Sequence, residues 1–216
     1  MIAMILAAGR GERLRPLTDS TPKALVEVHG EPLLERHLRS LSDGGIDTVV
    51  INLGWLGLQI LEYTGSGERF GLNVIYSNEG DNILETGGGI HRALPMLGSE
   101  PFLVVNADIF TDMPVPEIAL GDDDLAHLVL VPVPDDKDGG DFALDGDRIR
   151  NSGATMYTFS GVSMYRPEFF AGCEPGRFSV VPMLRAAAAD GRVSGSVYEG
   201  LWRDVGTPDR LAELNA

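Results

Sequence analysis

The residues most open to chemical reading lie near the amino terminus. Gly9 and Gly11 flank Arg10, and Arg13, Arg15 and Lys23 follow closely. Glycines let a loop turn tightly and let backbone N–H groups approach a ligand. Positive charge beside such a loop favours phosphate. The loop leaves an apolar run, Ile2 to Ala8, which reads as a buried first strand of a parallel sheet. Phosphates bind outside the carboxyl ends of such strands. Two familiar loops do not fit. A P-loop needs Gly-Lys-Ser/Thr opening a helix, and no such triplet follows Gly11. A dinucleotide fingerprint needs a third glycine; that position is Leu14, with Pro16 close behind. Gly-x-Gly taken alone fits a plain turn more often than a phosphate site.

Carboxylates follow. Asp108 ends the run Leu-Val-Val-Asn-Ala-Asp at 103–108, and Asp204 lies in Trp-Arg-Asp-Val-Gly-Thr-Pro at 202–208. An Asp at the carboxyl end of a central strand can meet phosphates held by the first loop. A solitary Asp is ordinarily a turn or cap residue. Glu79 precedes Leu-Glu-Thr-Gly-Gly-Gly at 84–89, where three glycines before a helix predict a loop whose backbone approaches a flat ligand. A flexible helix start is the plainer alternative. Asp141, after Gly139 and Gly140, fits either a hydrogen-bond acceptor for a ligand or a turn.

The elements that must position these groups alternate. Strands are expected at 24–28, 47–52, 72–77 and 102–106, and helices at 31–41, 55–63 and 90–97. Pro32 falls in a first helical turn. His37 shares an apolar face with Leu33, Leu34, Leu38 and Leu41, so a packed histidine is expected there. Such alternation implies βαβ units, a largely parallel sheet and helices on both faces. From Gly121 the character shifts. Asp122, Asp123 and Asp124 read as a solvated loop. Strands are expected at 125–133, 158–165, 193–198 and 201–205, with a hairpin turning at Asp145-Gly146. Helices are expected at 166–172 and 179–190, and Thr207 and Pro208 read as N-cap and N1 of a last helix.

A chain of 216 residues with 44% hydrophobic content is read as one domain with an ample core. The character shift near Gly121 divides it into residues 1 to about 120 and about 121 to 216. A net charge of −15 disfavours nucleic acid and anionic membrane surfaces. It would also repel an acidic substrate unless cations are concentrated locally. Lys23 and Lys137 are the only lysines, and Cys173 the only cysteine; this usage fits a reducing, cytoplasmic setting. No secretory signal and no membrane-spanning run is expected.

The whole first string closely resembles the signature of sugar-1-phosphate nucleotidyltransferases, Leu-Ala-x-Gly-x-Gly-x-Arg-Leu-x-Pro-Leu-Thr followed by Pro-Lys. Leu6, Ala7, Gly9, Gly11, Arg13, Leu14, Pro16, Leu17, Thr18, Pro22 and Lys23 fit it. Glu12 stands where Thr or Ser is common. Gly-Arg-Gly-Glu-Arg at 9–13, Ile-Asn-Leu-Gly-Trp-Leu-Gly at 51–57, 84–90, Gly-Asp-Phe at 140–142 and Thr-Phe-Ser-Gly at 158–161 resemble most the uridylyltransferases that act on N-acetylmuramic acid 1-phosphate in cell-wall recycling. The resemblance implies an α/β, Rossmann-like nucleotidyltransferase fold: a doubly wound, mostly parallel but mixed sheet with a small β-rich acceptor side. It implies UTP and a sugar 1-phosphate as substrates and Mg²⁺ held by Asp108 and Asp204. Arg13 and Lys23 would be catalytic and bind nucleotide, together with Ala8, Gly9, Gly11, Glu79, Gly87 and Asn106. Gly140 and Asp141 would bind sugar. Residues 1 to about 120 would be a nucleotide-binding half, and about 121 to 216 a sugar-binding half. The chain ends soon after Asp204, so no C-terminal β-helix is expected, and a monomer or small homo-oligomer is. The alternatives are another sugar 1-phosphate (mannose or glucose, with GTP, dTTP or UTP) and a non-catalytic protein that binds nucleotide sugars.

Overall fold

The computed structural model describes residues 1–80 and 82–216. The first half runs β1 (Ile2–Leu6), β2 (Glu27–Val28), β3 (Glu31–Pro32), α1 (Leu33–Asp43), β4 (Thr48–Leu53), α2 (Gly57–Thr64), β5 (Asn73–Asn78), α3 (Glu85–Leu97), β6 (Phe102–Asn106) and β7 (Ile109–Thr111). The second runs β8 (Ala126–Val131), β9 (Phe142–Asp145), β10 (Arg148–Arg150), β11 (Met156–Tyr165), α4 (Val181–Ala189), β12 (Val193–Val197), β13 (Trp202–Asp204) and α5 (Pro208–Leu214).

A nine-stranded sheet carries both halves, in the order β5-β4-β1-β6-β11-β8-β12-β10-β9. It is parallel from β5 to β6 and again where β8 meets β12; β11 turns it antiparallel against both β6 and β8. Alternation along β1 explains the unbroken apolar run. Ala3 and Ile5 join a core with Leu34 and Leu38 of α1 and Ile60 of α2. Met4 joins a second core with Ile90 and Ala93 of α3 and Leu184 of α4. The sheet is thus covered on both faces, and each strand residue of β1 has an apolar side to enter.

Several local expectations change. Residues 23–25 form a short 3₁₀ turn ahead of β2. Pro32 caps α1 from outside the helix. The three glycines are helical, because α3 begins at Glu85. Their missing side chains admit neighbours. A Cβ on Gly87 would stand 2.5 Å from the Phe178 ring, and one on Gly88 would stand 2.1 Å from the Gly176 carbonyl. The β9–β10 hairpin turns at 146–147, since Asp145 pairs with Arg148. Asp124 is not solvated: it is 3% exposed and paired with Arg148, and accepts the Gly121 N–H at 3.0 Å.

Candidate active site

The loop after β1 is held from several sides. Gly11 adopts a left-handed φ of +62°, and its carbonyl accepts the Thr18 hydroxyl at 2.8 Å. The Thr18 carbonyl in turn accepts the Trp55 indole N–H at 2.9 Å. Gly54 lets the next strand's end come in close, for a Cβ there would lie 2.6 Å from the Ala8 carbonyl.

Three hollows open around this loop. One, of about 190 Å³, is lined by Leu6 to Gly9, Lys23, Asn52, Glu79, Glu85, Thr86, Asn106 and Asp108. Glu79 is buried there. Its carboxylate accepts Asn52 Nδ2–H and the Leu84 N–H, each at 2.7 Å, and Asn52 Oδ1 accepts the Ala7 N–H at 2.6 Å. The first loop and Glu79 are therefore one hydrogen-bonded unit. A second hollow, of about 970 Å³, is lined by residues 9–13, Lys23, Leu84, Asp108, Arg177 and Gly206. A third, of about 360 Å³, is lined by Arg13, Asn106, Asp108, Lys137, Asp141, Thr158, Trp202, Asp204 and Arg210. Asp108 lines all three.

Asp108 and Asp204 are distant in sequence but meet through strand pairing. Strands β13 and β7 run antiparallel with Asp204 opposite Ile109, and the Asp108 carbonyl accepts the Val205 N–H at 2.8 Å. Lys23 Nζ donates to Asp108 Oδ2 at 2.5 Å, and Arg210 Nη1 pairs with Asp204 Oδ1. Gly206 leaves room for Arg13: a Cβ there would stand 3.0 Å from Arg13 Nη2 and 2.6 Å from Asp204 Oδ2. Asn106 is positioned by a bulge in β11 between Phe159 and Val162. Gly161, at φ +83°, packs against the Asn106 side chain, and the Ser160 carbonyl accepts the Trp202 indole N–H at 2.8 Å.

Ala8, Gly9, Gly11, Arg13, Lys23, Glu79, Asn106, Asp108 and Asp204 thus surround connected hollows. Asp141 lines the third; its Oδ2 accepts Lys137 Nζ–H at 2.7 Å and the Phe159 N–H at 2.9 Å. Gly87 and Gly140 are not among the lining residues. Gly87 faces Phe178, and a Cβ on Gly140 would stand 2.7 Å from the Tyr157 backbone N, so packing accounts for both glycines. Asn52, Arg177 and Arg210 are contributors that the sequence did not single out. Among the described residues no group of three or more His, Cys, Asp or Glu converges. Two carboxylates do not make a closed structural metal site. They do suit a hard divalent cation that keeps several waters and shares phosphate oxygens.

The family model described as Nucleotidyl transferase matches residues 2–140. The chain belongs to the nucleotidyl transferase family. It is 48% identical to N-acetylmuramate alpha-1-phosphate uridylyltransferase of Neisseria meningitidis serogroup B, over 100% of this chain and 97% of that protein. The protein of the same name from Caulobacter vibrioides is 37% identical over 98% and 97%. Among solved structures, UDP-glucose pyrophosphorylase complexed with UDP-glucose matches with a TM-score of 0.77 at 17% identity, over 99% of this chain and 96% of that one. That likeness supports the fold; in it the candidate site lies along the carboxyl ends of β1 and β6, beside the pairing of β7 with β13.

Proposed function

We propose that the chain transfers UMP from UTP to N-acetylmuramic acid α-1-phosphate, giving UDP-N-acetylmuramic acid and pyrophosphate, in cytoplasmic recycling of cell-wall peptidoglycan. The observation that carries the transfer is the position of Asp108, at the junction of all three hollows and beside Asp204. The names of the two full-length relatives support the acceptor.

In this reading uracil occupies the first hollow. The carboxylate of Glu79, an acceptor-only group, takes the N3–H of the base and is held in place by Asn52. Cytosine has no such hydrogen. Residues 8–11 hold nucleoside and phosphates with backbone N–H groups. Arg13 grips the triphosphate with its planar fork, and Lys23 places a point charge at the α-phosphate. The acceptor's phosphate lies in the third hollow, with its sugar towards Asp141. One of its oxygens attacks the α-phosphorus in line, the α–β P–O bond breaks, and the electron pair leaves with pyrophosphate. The nucleophile is already an anion, so no general base is required. The barrier is the approach of two anions, met by positioning and fixed cations. Asp108 and Asp204 would hold Mg²⁺, which when bound neutralises charge on the phosphates. About residues 1–120 bind nucleotide and 121–216 bind acceptor.

The test is a nucleotide panel with the muramic acceptor and Mg²⁺. UTP should yield pyrophosphate and the UDP-sugar in equal amounts, and CTP and GTP should yield little. Turnover with CTP equal to that with UTP would contradict the role given to Glu79.

A further inference from the structure

Each carboxylate at the junction already carries a cation of the chain's own. Lys23 stands on Asp108 at 2.5 Å, and Arg210 stands on Asp204. Arg210 is the less expected of the two. It lies in the first turn of α5, its side chain is 23% exposed, and its Nε and Nη2 also reach Asp136 Oδ2 at 2.7 Å. The guanidinium lines the proposed acceptor hollow, where Lys137 is paired with Asp141 and where Arg13, in the proposed function, is given to the triphosphate.

A divalent cation entering at Asp204 meets this guanidinium on the same carboxylate. Two cations on one carboxylate repel, so metal entry favours the departure of Arg210. Once released from Asp204, Arg210 keeps Asp136 against its Nε and Nη2, which holds the guanidinium in the same hollow with its Nη1 end open to an anion, and the acceptor's phosphate has to come there to react. A planar fork suits phosphate bidentately.

We propose that Arg210 alternates between Asp204 in the empty site and the acceptor's phosphate in the loaded site, so that metal and acceptor each favour binding of the other. This rests on the proposed function. The coupling is reciprocal, because each ligand draws on the same movement.

The test uses the full chain and Mn²⁺ as the probe, followed by the loss of its free EPR signal without any substrate. Arg210→Gln should bind Mn²⁺ more tightly than wild type, by about tenfold, an ordinary size for coupled sites. The same variant should show a KM for the acceptor raised by about tenfold or more, with the KM for UTP nearly unchanged. A merely structural arginine would not give tighter metal binding. Unchanged or weaker Mn²⁺ binding would overturn the proposal, and so would an unchanged acceptor KM. If circular dichroism shows that the Gln variant does not fold, Arg210→Lys decides. It keeps the charge on Asp204 but not the fork, so its acceptor KM should rise several-fold, and a wild-type value would overturn the proposal. Wild-type enzyme that turns over only another sugar 1-phosphate would overturn the acceptor reading alone, and the same measurements would then use that acceptor.

Discussion

At the scale of the residue, the account turns on Asp108 and Asp204. Both are aspartates whose local sequence fits a turn, and pairing of β13 with β7 makes them neighbours. Replacing Asp108 by Asn keeps the shape and removes the charge. Turnover should fall by about 10²–10³-fold, measured as pyrophosphate release by the purified variant. Near-normal turnover would remove Asp108 from the site. These two carboxylates were legible because each sits in a specific string. Asn52 and Arg210 were not. A single Asn inside the apolar run of β4 gives no sign that it holds Ala7 and Glu79 together. An Arg in a short terminal helix looks like any solvated surface cation until Asp204 and Asp136 are seen beside it.

At the scale of the element, α3 shows where local propensity misleads. A glycine run weakens a helix by roughly 1 kcal/mol per residue, and 87–89 accordingly read as loop. Tertiary packing decides otherwise, because residues 176–178 lie against the first turns of α3 and require bare backbone there. Gly88→Ala makes this testable. In an ordinary helix the change stabilises by about 1 kcal/mol. Here the new methyl meets a backbone carbonyl at 2.1 Å, so thermal or urea unfolding should show a loss of about 1–3 kcal/mol. Helix α1 supplies a second case. The sequence placed His37 on its apolar face, and it is buried there. Burial lowers its pKa from 6.5 to about 4, against the opposing influence of a backbone hydrogen bond at Ile109 and the charge of Asp108. The folded form therefore excludes a proton that the unfolded form binds. His37 costs nothing above pH 6.5, and its penalty grows as pH falls towards 4, reaching about 3 kcal/mol. Melting temperature measured across that window should fall more steeply for wild type than for His37→Leu. Parallel curves would contradict the assignment.

At the scale of the whole molecule, one mixed sheet joins the proposed nucleotide side to the proposed acceptor side. The parallel half was legible because buried strands alternate with amphipathic helices. The second half was less so, since β11 pairs with β6, β8 and β9, and its ladder with β8 carries a bulge that no periodicity marks. The same scale explains how a chain of net charge −15 can receive polyanions. Both of its lysines, with Arg13, Arg177 and Arg210, line the connected hollows. Like charge elsewhere on the surface disfavours non-specific anions, and the fixed cations in the cleft favour those that fit. The most direct test is pyrophosphate release with UTP and Mg²⁺, comparing N-acetylmuramic acid 1-phosphate with N-acetylglucosamine 1-phosphate. The account predicts a preference of at least about tenfold in kcat/KM for the muramic acceptor. Equal rates, a reversed preference or no release with either acceptor would contradict it.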